Sequence, residues 1–165
     1  MYSMTGSYAQ ASGSYLVSSA IDHTRAEAEA QQLFQRLHQS ACFNRLLATL
    51  TRRSTRLLEL SSVEAQTCKH GRHTLGLHSV PISAIRGSEN RCNDFDSCFR
   101  PLRAHDRQRW VGIAVATARG VALPPVELIQ VGDTYFVRDG HHRISAARAQ
   151  GQGFIDAIVT VWQVA

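Results

Sequence analysis

The run Asp139-Gly140-His141-His142-Arg143 constrains this chain more than any other feature. It joins an apolar, β-branched stretch, Tyr135-Phe136-Val137-Arg138, to a stretch carrying Ile144, Ala146, Ala147 and Ala149. The pattern predicts a strand that passes directly into a helix. A helix start gathers N–H groups that lack intrahelical partners, and the helix dipole favours negative charge there. Phosphate fits such a place. Gly140 can take a backbone conformation closed to residues with a Cβ, which lets a ligand approach closely. Arg143 offers a two-pronged grip on phosphate oxygens. His141 and His142 add donors, and either can carry a proton near neutral pH. The same residues also suit a plain strand-to-helix turn with two surface histidines.

The flanks support an ordered domain. Pro124-Pro125 stiffen the entry to a strand over 126–131, Gly132-Asp133 make a turn, and Tyr135 to Arg138 return as the partner strand of a hairpin. A helix over 142–150, closed by Gly151, precedes a last strand over 154–162. In it Ile155, Ala157, Val159 and Val161 alternate with Asp156, Ile158, Thr160 and Trp162. Upstream, Trp110, Ile113, Ala114, Thr117 and Ala118 share one face of a helix with Asp106 as its expected N-cap and Gly120 at its end. Val80 to Ile85 reads as a strand with Pro81 near its edge, and Arg86 to Leu102 as an extended loop. The order strand, helix, hairpin, helix, strand predicts an α+β fold with a mixed sheet over 79–165.

The first half of the chain reads differently. Residues 1–20 are rich in Ser, Gly, Tyr and Ala without periodicity and are expected to form a disordered leader. Over 21–66, Ala26, Ala30, Leu33, Leu37, Phe43, Leu46, Leu47 and Leu50 recur at helical spacing, as one long helix or as two shorter ones broken near Gln39-Ser40, and Arg56 to Gln66 could continue the pattern. This is a helical extension. Its apolar face from Leu33 to Leu50 would pack on the domain or on a second copy, giving a homodimer through the N-terminal helices. The polar, glycine-punctuated segment 67–78 is expected to be a linker.

A formal charge of +5 favours anionic partners, but the excess is scattered arginine, and the sole lysine is Lys69. Arg100, Arg103, Arg107 and Arg109 could follow the phosphate backbone of DNA or form a solvated helix face. Trp110 and Trp162 read as core anchors rather than base-stacking platforms. Hydrophobic residues at 44% and charged residues at 19% suffice for a folded core. No run approaches the ~20 apolar residues of a membrane span, so a cytoplasmic protein with reduced thiols is the expectation. Cys68, His70, His73 and His78, or Cys92 with Cys98, lack the spacing of a zinc site, and no metal ligands are assigned.

The glycine-turn hairpin, the loop, its alanine-bearing helix and the final strand together resemble the ParB/sulfiredoxin superfamily, over roughly Val80 to Trp162. Sulfiredoxins have a loop similar to Gly-Gly-Cys-His-Arg, in which Gly140, His142 and Arg143 have counterparts but the reactive cysteine is replaced by His141. That substitution excludes sulfiredoxin chemistry. ParB partition proteins have a loop resembling Gly-Glu-Arg-Arg that grips the triphosphate of CTP, matched here only by Gly140 and Arg143. The free-serine-kinase branch is more similar in its Asp-Gly-His-type loop. The resemblance implies a nucleoside di- or triphosphate ligand (ATP, ADP or CTP), with magnesium as a candidate counter-ion. It places Gly140, His141, His142 and Arg143 on the phosphates and Glu89, Asp139 and His141 as candidate catalytic groups. Asp94 and Asp96 compete with Glu89 for the role of base. The implied activity is NTP hydrolysis or phosphoryl transfer to a small molecule. The alternative is a non-catalytic ParB-like DNA-binding or regulatory module switched by nucleotide.

Overall fold

A computed structural model describes residues 8–51, 54–65 and 69–164. Helix α1 (Tyr8–Thr51) leads into a short strand β1 (Leu58–Glu59), a one-turn helix α2 (Leu60–Glu64) and a long strand β2 (Lys69–Pro81). A 3-10 turn over Ile82–Ala84 separates β2 from β3 (Ile85–Ser88). After a loop come α3 (Arg107–Ala118), the hairpin β4 (Val126–Val131) and β5 (Thr134–Asp139), α4 (His141–Ala149) and β6 (Phe154–Val164). The six strands form one mixed sheet in the order β1-β3-β5-β4-β6-β2. The expected α+β architecture with an N-terminal helix is therefore present, and the hairpin, α4 and β6 lie where the apolar periodicity places them.

The pairing brings the site together. Strand β3 runs parallel to β5, with Ser88 opposite Val137, so the carboxyl ends of both strands emerge at the same edge of the sheet. The Glu89 N–H extends this pairing by one step, donating to the Val137 carbonyl at 2.9 Å. On one face of the sheet Ile85, Val126, Leu128, Val137, Ala157 and Val159 form a core with Phe95, Phe99 and Ile144. On the other face Leu60 of α2 covers Ile129, Val131, Phe136 and Trp162. Trp162 carries the Arg72 guanidinium over its ring at 4.2 Å.

Four local expectations are corrected. Of the segment 67–78 read as a linker, the described residues from Lys69 on belong to β2, which pairs antiparallel with β6 from Lys69 to Pro81, and 67–68 lie outside the described residues. Its glycines and histidines are tolerated because β2 is an edge strand with irregularities just before Gly71 and just before Gly76. The Val80 to Ile85 segment is not one strand, since the 3-10 turn divides it and β3 extends to Ser88. Helix α1 begins at Tyr8, inside the segment expected to be a leader, and passes Gln39-Ser40 without a break. At that point the Ser40 hydroxyl accepts a hydrogen bond from Arg100 at 2.7 Å, which anchors the helix. Residues 1–7 of the expected leader lie outside the described residues. The continuation from Arg56 is reduced to β1 and α2, because Leu58 and Glu59 pair with Gly87 and Ser88.

Helix α1 leans on α3 and α4 through Ala30 and Phe34, with Phe34 edge-on to Trp110 at 5.6 Å between ring centroids. The α3 face that is buried consists of Trp110, Val111, Ala114 and Val115, rotated from the face expected in sequence. That rotation turns Arg109 and Ile113 towards the start of α4. The Trp110 indole N–H donates to the Ser145 hydroxyl at 2.8 Å, which joins α3 to α4 inside the core. Past Ala41, the α1 residues Phe43, Leu46, Leu47 and Leu50 remain exposed.

Candidate functional site

The loop after β5 is built around Gly140, whose φ of +97° puts it in the left-handed region. This residue stands just before the first turn of α4, and its carbonyl accepts the Ile144 N–H at 3.0 Å. The helix start, whose first N–H groups have no intrahelical partner, lines a cavity of about 200 Å³. Its lining includes Arg91 from the loop after β3, Arg109 and Ile113 from α3, Arg138 and Asp139 from β5, and Gly140 to Arg143. Four guanidiniums thus face one carboxylate.

Those guanidiniums are not equally free. Arg138 is gripped by Glu89, with Nε 3.1 Å from Oε2 and a second N–H at 3.4 Å from Oε1. Arg143 donates to the Pro124 and Pro125 carbonyls and to Asp139 Oδ2, the last two at 2.8 and 2.5 Å. Its fork clamps the segment before β4 to the start of α4 instead of pointing freely into the cavity. Arg91 lies 4.0 Å from Asp94, too far for a hydrogen bond. Arg109 forms no ion pair among the described residues. Arg91 and Arg109 are therefore the cations best placed to meet an anion; Arg91 was not singled out from sequence, and Arg109 was considered only for the phosphate backbone of DNA. Their signal was their residue type alone, because the parallel β3–β5 pairing and the rotation of α3 bring them to the loop.

Both histidines are buried, contrary to a reading of them as surface groups. His141 stacks on Phe95 at 5.9 Å between ring centroids, and its Nε2 lies 2.7 Å from the Ser88 hydroxyl. Burial, reinforced by the Arg91 charge, lowers its pKa to about 4. His142 stands edge-on to Phe95 with Nε2 3.5 Å from Asp106 Oδ2. Its pKa is also lowered by burial, although the Asp106 carboxylate pulls the other way. Burial prevails because the Arg109 and Arg91 charges act in the same direction against the single Asp106 carboxylate. The expectation that either imidazole is charged near neutral pH is corrected. The positive potential of the cavity comes from guanidinium and backbone N–H groups.

Asp106 stands at the expected N-cap position of α3, but it also closes a 3-10 turn over Ala104–Asp106 and makes no side-chain cap bond. Its carboxylate faces His142 instead. Of the three carboxylates weighed as a base, Glu89 lies beside the cavity in its pair with Arg138. Asp96 is removed from it, because its buried carboxylate accepts from the backbone N–H groups of Cys98 and Arg100 and from the Arg100 guanidinium. Asp94 is held by Arg103 at 3.1 Å. These pairs also engage two of the four arginines considered for DNA, Arg100 and Arg103.

The donor set does not fit a magnesium ion held by the protein, since Asp139 is the one carboxylate on the cavity wall and it is bound by Arg143. Magnesium would enter with its phosphate ligand. Elsewhere, no group of three His, Cys, Asp or Glu side chains gathers at metal-binding distance among the described residues. Cys68 lies outside the described residues, and Cys42, Cys92 and Cys98 are free thiols. No helix among the described residues is long and apolar enough to cross a membrane.

No family model and no curated protein matches this sequence. Among solved structures the chain is similar to sulfiredoxin from Arabidopsis thaliana, with 20% identity and a TM-score of 0.39, covering 50% of this chain and 82% of that chain. The cavity's own residues, and not that likeness, carry the functional reading.

Proposed function

We propose that this protein binds a nucleoside di- or triphosphate, with the phosphates in the arginine-lined cavity at the start of α4. The observation that carries this reading is the charge of the cavity wall: Arg91 and Arg109 add two positive charges that the Arg138–Glu89 and Arg143–Asp139 pairs do not offset. An anion with several oxygens can bridge such guanidiniums and accept from the helix-start N–H groups at once. Phosphoryl transfer or hydrolysis would then draw on Asp139, which is 62% exposed at its side chain, or on Glu89. Each already holds an arginine, so turnover requires the incoming phosphate to displace one of these pairs. That observation favours a second reading, a regulatory module in which the nucleotide shifts conformation without chemistry.

Calorimetry with ATP, ADP and CTP, with and without magnesium, tests the binding. Arg109→Ala is expected to weaken it by about 1.5–3 kcal/mol, the scale of a hydrogen bond to a charged group. Equal affinity in the variant and the wild type, or no binding of any nucleotide, would refute the proposal. Phosphate release then separates the two readings. A fall in kcat of about 100-fold in Asp139→Asn or Glu89→Gln at unchanged affinity supports transfer. Tight binding without release supports the switch.

A further inference from the structure

Ser88 closes β3 and is fully buried, and its hydroxyl has four polar neighbours, the Cys92 thiol and three nitrogens. The backbone N–H of Arg91 lies at 2.9 Å, that of Asn90 at 3.3 Å and His141 Nε2 at 2.7 Å. A serine hydroxyl has two acceptor lone pairs and one proton. Both lone pairs face backbone N–H groups, which can only donate. The proton has the ring and the Cys92 sulfur as acceptors, and it goes to Nε2 at 2.7 Å, the stronger of the two, while the thiol itself donates to the Leu58 and Ser88 carbonyls. A neutral imidazole that accepts at Nε2 carries its own proton on Nδ1. His141 lines the cavity, and its Nδ1 has no hydrogen-bond partner among the described residues. The charged and titratable groups that act on the ring are Arg91 and Asp94 from the loop after β3, Asp139 from β5 and His142 beside it on α4. Burial and Arg91 outweigh the carboxylates, which keeps the ring neutral.

We propose that Ser88 is a positioning residue that locks His141 in its Nδ1–H form, so that the cavity presents a neutral N–H donor to phosphoryl oxygens. The ligand half of this inference rests on the phosphate reading, whereas the hold of Ser88 on the ring does not. Arginines attract any anion, but a fixed N–H donor among them selects a group that accepts hydrogen bonds at that position. A ligand donor or cation placed there would meet the N–H head-on.

Long-range proton–nitrogen correlation spectra of the full chain, free of ligand, read the tautomer directly. The expected result is a protonated Nδ1 and a bare Nε2 from pH 5.5 to 8, with the Nδ1 proton shifted on addition of pyrophosphate, ATP or CTP. Comparing these three distinguishes a bare phosphate site from a nucleotide site. Ser88→Ala is expected to populate the Nε2–H form and to lose about 3- to 10-fold in pyrophosphate affinity, the scale of a neutral hydrogen bond. Ser88→Thr, which restores the hydroxyl, should keep the tautomer. An Nε2–H form or an imidazolium in the wild type would overturn the role of Ser88, as would a Ser88→Ala variant with tautomer and affinity unchanged. If that variant fails to fold, the wild-type and Ser88→Thr spectra decide. The expected tautomer without binding of any of the three ligands would overturn the nucleotide reading and the ligand half of this inference. The wrong tautomer with tight binding would overturn only the role given to Ser88.

Discussion

Replacing Gly140 with alanine probes whether the loop is held as tightly as its geometry demands. Two separate penalties arise. The residue sits at φ +97°, ψ 20°, and a left-handed backbone costs a residue with a Cβ about 1–2 kcal/mol. The added Cβ would also stand 2.5 Å from Val126 Cγ1 and 2.8 Å from Val126 Cβ. Val126 is 1% exposed and β-branched, so it has no free rotamer into which to retreat. Forcing a methyl into such packing adds about 1–3 kcal/mol. The sum is about 2–5 kcal/mol. Gly120 provides the control, because it has φ +69° but nothing within 4 Å of its added Cβ. Gly120→Ala should therefore show only the backbone penalty, and the two variants should differ by about 1–3 kcal/mol. Urea unfolding at unchanged m-value measures both. Combining Gly140→Ala with Val126→Ala should recover part of the steric cost as a coupling of about 1–2 kcal/mol. Equal midpoints for Gly140→Ala and Gly120→Ala, with no coupling to Val126, would refute the close approach on which the shape of the loop depends.

Two further outcomes follow from buried groups. His141 has a pKa near 4 in the folded protein against 6.5 unfolded, so the unfolded chain binds more protons between those values. Its contribution to stability, roughly 3 kcal/mol, is complete above about pH 6.5 and is lost as pH falls towards 4. Thermal melts from pH 8 to 4 should decline across that window. The decline should be shallower but not absent in His141→Asn, because His142 is lowered as well. An identical slope in both proteins would contradict the burial of the ring. Asp96→Ala should cost about 3–5 kcal/mol in urea unfolding, since it strands two backbone N–H groups and the Arg100 guanidinium around a site that is 1% exposed. A loss below 1 kcal/mol would show that the clamp between this loop and α1 contributes little.

The parts of the fold legible in sequence were those in which local chemistry and burial agree. The Gly132-Asp133 turn between two apolar runs specified the hairpin, and the alternation of Ala157 and Val159 with Ile158 and Thr160 specified β6. Strand β2 was illegible because its pairing partner lies about eighty residues further on and its own composition of glycine and histidine resembles a loop. An edge strand needs to satisfy only one row of backbone groups and one face, so it tolerates such residues. Whether α1 is one helix or two stays open in sequence for a related reason: Ser40 is a weak helix former, and the bond from Arg100 that anchors it comes from sixty residues away. Phe34, the residue that seats α1 against Trp110, could have been found by extending the Ala26, Ala30 spacing by one more turn.

At the site, sequence located the loop but not the division of labour within it. Arg143 was chosen for phosphate because a guanidinium at a helix start suits that role. Its position four residues after Asp139 and beside two proline carbonyls, which have no N–H of their own to pair in a ladder, makes it the clamp of the loop instead. Glu89 was chosen as a base because a carboxylate follows the first strand, yet the parallel register that brings it near the cavity also sets it opposite Arg138. Each ion pair removes one cation and one carboxylate from availability. With Arg138 and Arg143 so neutralised, the net positive charge that remains at the wall is that of Arg91 and Arg109, set among neutral imidazoles and helix-start N–H groups. Such a wall attracts an anion strongly but offers it no free base. On the proposed reading, binding can use the two arginines that are already free, whereas chemistry would draw on a carboxylate that now holds an arginine.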